Sequence, residues 1–303
     1  MKYWTGMIPA AGILLAGLMA GPLVAEEMAA DEICVTDDAE REVCLDEPAE
    51  RIIALSPGAT ELLFAAGAGE QVVGAVSYSD YPEEAKEIPR VGGYQRLDLE
   101  AILAKSPDLI IGWKTGNPSE QLEDLEDYGA TLYYSEPRAL EDVATSVERL
   151  GRLAGTEQAA KERAERYRED IAAVEERYQD ADSVRVFYQV WDEPLRTVND
   201  EHLISRVANL CGGDNVFGDL DSLVPTLDKE SVLEADPEAI VAGGMGEADD
   251  SWLDIWRDFE DMTAVRRDNL FFVPPSSIQR PTPRVVEGAE TLCERLDKAR
   301  ERR

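Results

Sequence analysis

Glu157–Tyr178 reads EQAAKERAERYREDIAAVEERY and lies close to the middle of the 303-residue chain. It contains neither Gly nor Pro. Ala160, Ala164, Tyr167, Ile171, Val174 and Tyr178 recur at alternating steps of four and three, which puts one apolar stripe on one face of a helix. Glu157/Lys161 and Glu162/Arg166 stand four apart in the favourable order for ion pairs along a helix. At a rise of ~1.5 Å per residue the helix spans roughly 33 Å, about the width of a small domain. The stretch predicts a stiff helix joining two α/β lobes. The alternatives are a long surface helix of a single domain and a short coiled coil, although the apolar pattern lasts only about three heptads.

Both sides of the helix alternate strands with helices. Upstream, IIAL after Arg51 is a continuous apolar run, as in a buried parallel strand. Ser56-Pro57 then supplies a helix cap and a first helical residue for GATELLFAAG. VVGAV, DLIIGW and TLYY are the next strands, with helices LEAILAK, SEQLEDLEDYG and ALEDVATSVERLGRLAG between and after them. Downstream come strand VRVFYQV, helices EHLISRVANLCGG and KESVLEA, strand AIVAGG, helix SWLDIWRDFEDM, strand LFFV and a last helix after PTPR. This pattern predicts mainly parallel sheets with helices on both faces. An internal repeat supports two similar lobes. LDLEAILAKSPDLIIG from Leu97 matches LDKESVLEADPEAIVAG from Leu227; Glu100 recurs as Glu230 and Pro107 as Pro237, each 130 residues on. The expected boundaries are a signal segment 1–25, an extension with a hairpin 26–50, a first lobe 51–155, the connecting helix 156–180 and a second lobe 181–303.

Composition narrows the function. The chain has 63 Asp and Glu against 30 Lys and Arg, a net charge of −33. That excludes nucleic acid, whose phosphates need basic patches, and argues against an anionic membrane surface. The acids are interleaved with apolar residues along the whole chain, which suits a solvated acidic shell and a saline habitat. Lys2, the broken apolar run from Ile8 to Val24 and the acidic Glu26-Glu27 read as a secretory signal; an uncleaved anchor is the alternative. The four cysteines fit an oxidising compartment, and three pairings are possible. Cys34 and Cys44 flank a polar turn and would close a hairpin, leaving Cys211 with Cys293. A zinc site is the rival reading, weakened by the lack of a CxxC and by His202 being the only histidine.

Little points to catalysis. A lone His202, read as a surface residue at a helix start, leaves no His pair for a metal, and no phosphate loop or dinucleotide fingerprint is present. Aromatic residues in loops are more telling, since ligands in open α/β lobes sit beyond the carboxyl ends of strands. Tyr78 and Tyr81 follow VVGAV, Tyr94 follows PRV, Trp113 ends DLIIGW and Trp191 ends VRVFYQV. They would line a cleft with flat apolar faces. Trp252 and Trp256 read as core. The loop PPSSIQRPTPR from Pro274 would face the same cleft and offer Ser276, Ser277, Ile278, Gln279 and Arg280.

RIIALSPGATELLFAAG, VSYSDYPEEAKEIPRVGG, PDLIIGW, LCGGDNVFGD and the C-terminal TPR…LC together resemble the periplasmic binding proteins that feed ABC importers of cobalamin and ferric siderophores. The resemblance runs from about Arg51 to Leu296, and SYSDYP followed by a strand ending in Trp is closest to the cobalamin branch. It implies two α/β lobes bridged by one long helix, with corrinoid contacts at Tyr78 and Trp113 and with Tyr94 where the family has a Trp. It implies a Cys211–Cys293 disulfide. It also implies that Glu100 and Glu230, one per lobe, dock on arginines of a permease whose ATPase drives import. The segment Ser276–Arg280 keeps only the family's Arg. The expectation is a monomeric periplasmic carrier of cobalamin or a related corrinoid, with no catalytic residues, resident metal or cofactor. A ferric siderophore or haem, for which Tyr78 would be the axial ligand, is the alternative within the fold; a secreted α/β enzyme is the alternative outside it.

Overall fold

The structure is a computed structural model that describes residues 1–6, 32–244 and 246–303. The expected apolar signal run and the start of the 26–50 extension lie outside the described residues. Glu32–Arg303 form one unit. Its first sheet contains β3 (Ile52–Ala54), β4 (Val72–Ala75), β5 (Leu109–Trp113) and β6 (Leu132–Ser135), ordered β4-β3-β5-β6 with every pairing parallel. The second contains β7 (Val184–Gln189), β8 (Gly213–Asn215), β9 (Ala239–Ala242) and β10 (Leu270–Phe272), ordered β8-β7-β9-β10, again all parallel. Counted along the chain, each sheet therefore runs 2-1-3-4. Strand β8, made of Gly-Asp-Asn, has no strand signal of its own and was not expected; it forms because its backbone pairs with the edge of β7.

Helices flank both sheets: α1 (Pro57–Ala65), α2 (Leu99–Leu103), α3 (Ser119–Asp127), α4 (Leu140–Leu153), α5 (Glu157–Tyr178), α6 (Leu203–Leu210), α7 (Lys229–Ala235) and α8 (Val285–Glu301). The repeat is architectural. Helix α2 leads into β5 and α7 into β9, each the third strand of its sheet. Asp98 caps α2 by accepting from Ala101 N at 3.0 Å, and Asp228 caps α7 by accepting from Ser231 N at 2.8 Å. The segment 251–262, expected as one helix, is instead a 3₁₀ turn and a short helical turn, Asp254–Arg257, that bury Trp252 and Trp256.

The long helix α5 covers the expected residues, and Ala160, Ala164, Tyr167, Ile171, Val174 and Tyr178 are its buried face. They belong to one apolar cluster that runs from Ile52 of the first sheet to Ala299 of α8, so both sheets share the core under α5. Burying side chains such as Ile171 and Val174 contributes roughly 1.5–3 kcal/mol each. Tyr167 adds a hydroxyl bond to Leu140 O at 2.9 Å. Helices α4 and α5 approach closely at Gly151, where a methyl group would sit 2.2 Å from Ala160 Cβ. The expected pairs Glu157/Lys161 and Glu162/Arg166 do not form among the described residues; Glu162 accepts instead from Gln158 at 2.6 Å. Arg168 makes the ion pairs of α5, to Glu141 and Glu148 of α4, because helix-to-helix contact offers it two carboxylates at once.

Strands β1 (Ile33–Thr36) and β2 (Glu42–Leu45) form the expected hairpin, with Cys34 opposite Cys44 in register. The disulfide joins them, which spends both thiolates and rules out zinc there. Cys211 and Cys293 form the second disulfide. The hairpin docks on β6: Asp38 N donates to Tyr134 O at 3.0 Å, and Arg41 reaches Leu132 O at 3.0 Å. The edge of the first sheet is thereby covered.

Candidate functional site

The 2-1-3-4 order places a topological switch between the first and third strand of each sheet, and ligands of open α/β folds bind outside the carboxyl ends there. In the first sheet those ends are Leu55-Ser56 and Trp113. Ser56 caps α1, its hydroxyl accepting from Ala59 N at 3.0 Å. Trp113 lies 5.7 Å from Tyr94, ring centre to ring centre, at a 43° tilt.

One buried side chain holds this pair. Asn117, 6% exposed, accepts from Trp113 N at 2.7 Å and donates to Leu55 O and Tyr94 O, both at 2.9 Å. It ties the ends of β3 and β5 to the Tyr94 loop. In the sequence Asn117 precedes a Pro and reads only as a turn residue; its three partners lie up to 62 residues from it and become neighbours only in the fold.

Tyr78 has a left-handed backbone, φ +66°, and its ring is 72% exposed. Such a conformation costs a non-Gly residue about 1–2 kcal/mol. The Tyr78 carbonyl is held by Arg280 Nη2 at 3.2 Å. Trp191 is 39% exposed, packs edge-on against Trp252 at 5.7 Å and donates its indole N–H to Glu193 O. Trp252, assigned to the core, is thus the wall behind Trp191.

The segment 274–284 is built differently from the expected open loop. Pro275–Ile278 is a helical turn with Ser276, Ser277 and Ile278 buried. Ser277 donates to Pro274 O at 2.8 Å, Ser276 donates to Glu247 at 2.8 Å, and Ile278 belongs to the shared core. The hydroxyls satisfy protein groups, since a buried polar atom left unpaired would cost about 1–3 kcal/mol. Arg280 crosses to the first lobe's loops. Its Nη1 reaches Glu61 Oε1 at 2.7 Å and Asp80 Oδ1 at 2.8 Å. Glu61 also accepts from Thr282 Oγ1 at 3.0 Å and from Arg284 Nη1 at 3.3 Å. Burial pushes the Glu61 carboxyl above its ordinary value, and the two arginines pull against that rise. Glu61 ends the SPGATE stretch within the first of the segments that carry the family resemblance, but nothing local marks it as the partner of Arg280 and Arg284.

His202 starts α6 as expected but is half-buried rather than a surface residue. Its Nδ1 accepts from Ile204 N at 3.2 Å, so the neutral ring carries its proton on Nε2. It lines a cavity of about 50 Å³ together with Trp113 and Gln279. Burial pushes its pKa down to about 4. Glu100 and Glu230 are exposed second residues of α2 and α7.

Residues 52–276 match the family described as periplasmic binding protein. The chain belongs to that family. Members similar to it include the vitamin B12-binding protein of Vibrio parahaemolyticus, 35% identical over 82% of this chain and 89% of the relative. The vitamin B12-binding protein of Yersinia pestis is 33% identical over 79% of this chain and 84% of its own. Among solved structures, the periplasmic vitamin B12 binding protein of Vibrio cholerae superposes with a TM-score of 0.77 at 34% identity, covering 84% of this chain and 99% of that one. A periplasmic haem-binding protein of Roseiflexus, 24% identical with a TM-score of 0.73, covers 83% of this chain and 99% of its own and shares the fold alone. The two-lobe architecture with a connecting helix is the fold of the family.

Proposed function

We propose that this periplasmic binding protein captures cobalamin or a related corrinoid and presents it to an ABC importer. The observation that carries the reading is the Tyr94–Trp113 pair, pinned by Asn117 at the switch point, in a chain similar to vitamin B12-binding relatives over most of its length. Aromatic faces suit the flank of a corrin macrocycle, and Tyr78 and Trp191 add exposed rings. The protein works by binding, without chemistry on its cargo. Arg280 acts first as a latch between the lobes, through Glu61 and Asp80, and meets ligand from that position. Ser276 and Ser277 support the latch from below, and Ile278 and Gln279 line the cavity at Trp113. The exposed Glu100 and Glu230, at matching places on α2 and α7, are the proposed docking points for permease arginines. The carrier acts as a monomer in the periplasm.

The test is a competition. Purified protein is incubated with equal amounts of cyanocobalamin, haemin and a ferric hydroxamate, desalted, and its absorption spectrum recorded. Retained corrinoid bands support the reading. Retention of haem or siderophore bands alone, or of no chromophore, refutes it.

A further inference from the structure

A second chamber, of about 400 Å³, lies between α1, the loop after β4, α5 and the segment ahead of α8. Its volume is within the range of small-molecule sites. Phe64 and Tyr81 give it an apolar side, and three arginines converge on it: Arg163 and Arg166 from α5, and Arg284. Arg163 is half-buried, and no hydrogen bond or ion pair forms on it or on Arg166 among the described residues. The carboxylate four residues before Arg166, Glu162, also lines the chamber but is exposed and engaged with Gln158. Arg284 stacks over Tyr81 at 4.1 Å; its Nη1 donates to Glu61 Oε1 at 3.3 Å and its Nη2 to Ser276 Oγ at 3.0 Å, and its Nε is buried without a hydrogen-bond partner, 3.9 Å from the Glu287 carboxylate. Glu61 also borders the chamber, but its charge is spent on Arg280, Arg284 and Thr282. Burial and the neighbouring Arg166 both lower the pKa of Arg163, against an opposing pull from Asp170.

We propose that this chamber binds a small oxyanion, a carboxylate or phosphate group on a short apolar body, through the guanidinium groups of Arg163 and Arg166, with Arg284 and Tyr81 forming part of its wall. Guanidinium forks match both groups in two-point geometry. A bound anion would link α5 to the Tyr81 loop and to the segment that carries the Arg280 latch, so occupancy would stiffen the contact between the lobes. The site is distinct from the aromatic cleft, and the proposal does not depend on the corrinoid reading.

Calorimetry of the full mature chain with citrate and with inorganic phosphate, each matched in ionic strength against sodium chloride, tests it. The expected result is a saturable one-to-one isotherm for at least one of the two anions and none for chloride. Arg163→Gln should weaken that binding at least tenfold and the exposed Arg166→Gln at least threefold, while cyanocobalamin binding by Arg166→Gln stays unchanged. A response to either anion that chloride reproduces, the absence of saturable heat with both, or equal affinity in the wild type and in Arg166→Gln overturns the site. Thermal unfolding of Arg166→Gln like that of the wild type shows that lost binding is not lost folding.

Discussion

Replacing Asn117 should damage the fold and the cleft together. Asn117→Ala leaves Leu55 O, Tyr94 O and Trp113 N without their partner. Each orphaned buried group costs about 1–3 kcal/mol, and water entering the vacated space recovers part of it. The expected net loss is roughly 2–4 kcal/mol, read from urea unfolding as a lower midpoint with an unchanged slope. Loss of the link also frees the Trp113 and Tyr94 loops, so a corrinoid must order them on binding. A cost of ~1.4 kcal/mol would weaken affinity about tenfold. Asn117→Asp separates the three bonds. It keeps the acceptor for Trp113 N but turns a carboxylate toward two carbonyl oxygens, so at pH 7 it should be at least as destabilised as the alanine variant. Acidification should restore part of that loss, because a protonated Asp donates one bond. The argument fails if Asn117→Ala lowers stability by less than ~0.5 kcal/mol with affinity unchanged, or if the Asp variant matches wild type at neutral pH.

His202 predicts a pH dependence. Its folded pKa, about 4, lies below the ordinary value of 6.5, so the unfolded chain binds the proton first and its contribution is complete above pH 6.5 and lost as pH falls toward 4. Asn at this position still caps α6, so His202→Asn should match wild type at pH 7 and lack this part of the slope, a difference of order 1–3 kcal/mol at pH 4; parallel stability curves from pH 4 to 7 would contradict it. The disulfides differ in loop length. Cys211–Cys293 closes 82 residues and Cys34–Cys44 only 10, so paired Ala substitutions should cost about 4–5 and roughly 3 kcal/mol respectively in urea unfolding, and a reversed order would refute the chain-entropy account. The net charge of −33 predicts that melting temperature rises between low and molar salt, and a flat or falling curve would remove the case for a salt-adapted shell.

Much of the architecture could be read because it rests on periodicity. The stripe Ala160–Tyr178 is the buried face of α5 residue for residue, and the 130-residue offset became two sheets of one topology. Burial is a property of every third or fourth residue, and sequence carries it directly. What escaped depends on partners brought from afar. Strand Gly213–Asn215 forms by backbone pairing alone. Glu162 and Arg166 had the right spacing, yet Glu162 is engaged by Gln158 instead. Ser276 and Ser277 have the chemistry of ligand contacts but lie on the inner face of a helical turn. Asn117 and Glu61 organise the site through residues up to 223 positions away, and although Glu61 ends the SPGATE stretch, no local pattern names those partners.

Calorimetric titration of the protein with cyanocobalamin is the most direct test of the corrinoid reading. A one-to-one isotherm with a dissociation constant below roughly ten micromolar, about 7 kcal/mol of binding, is the predicted result. A flat titration at that concentration would contradict a corrinoid cleft between the two lobes.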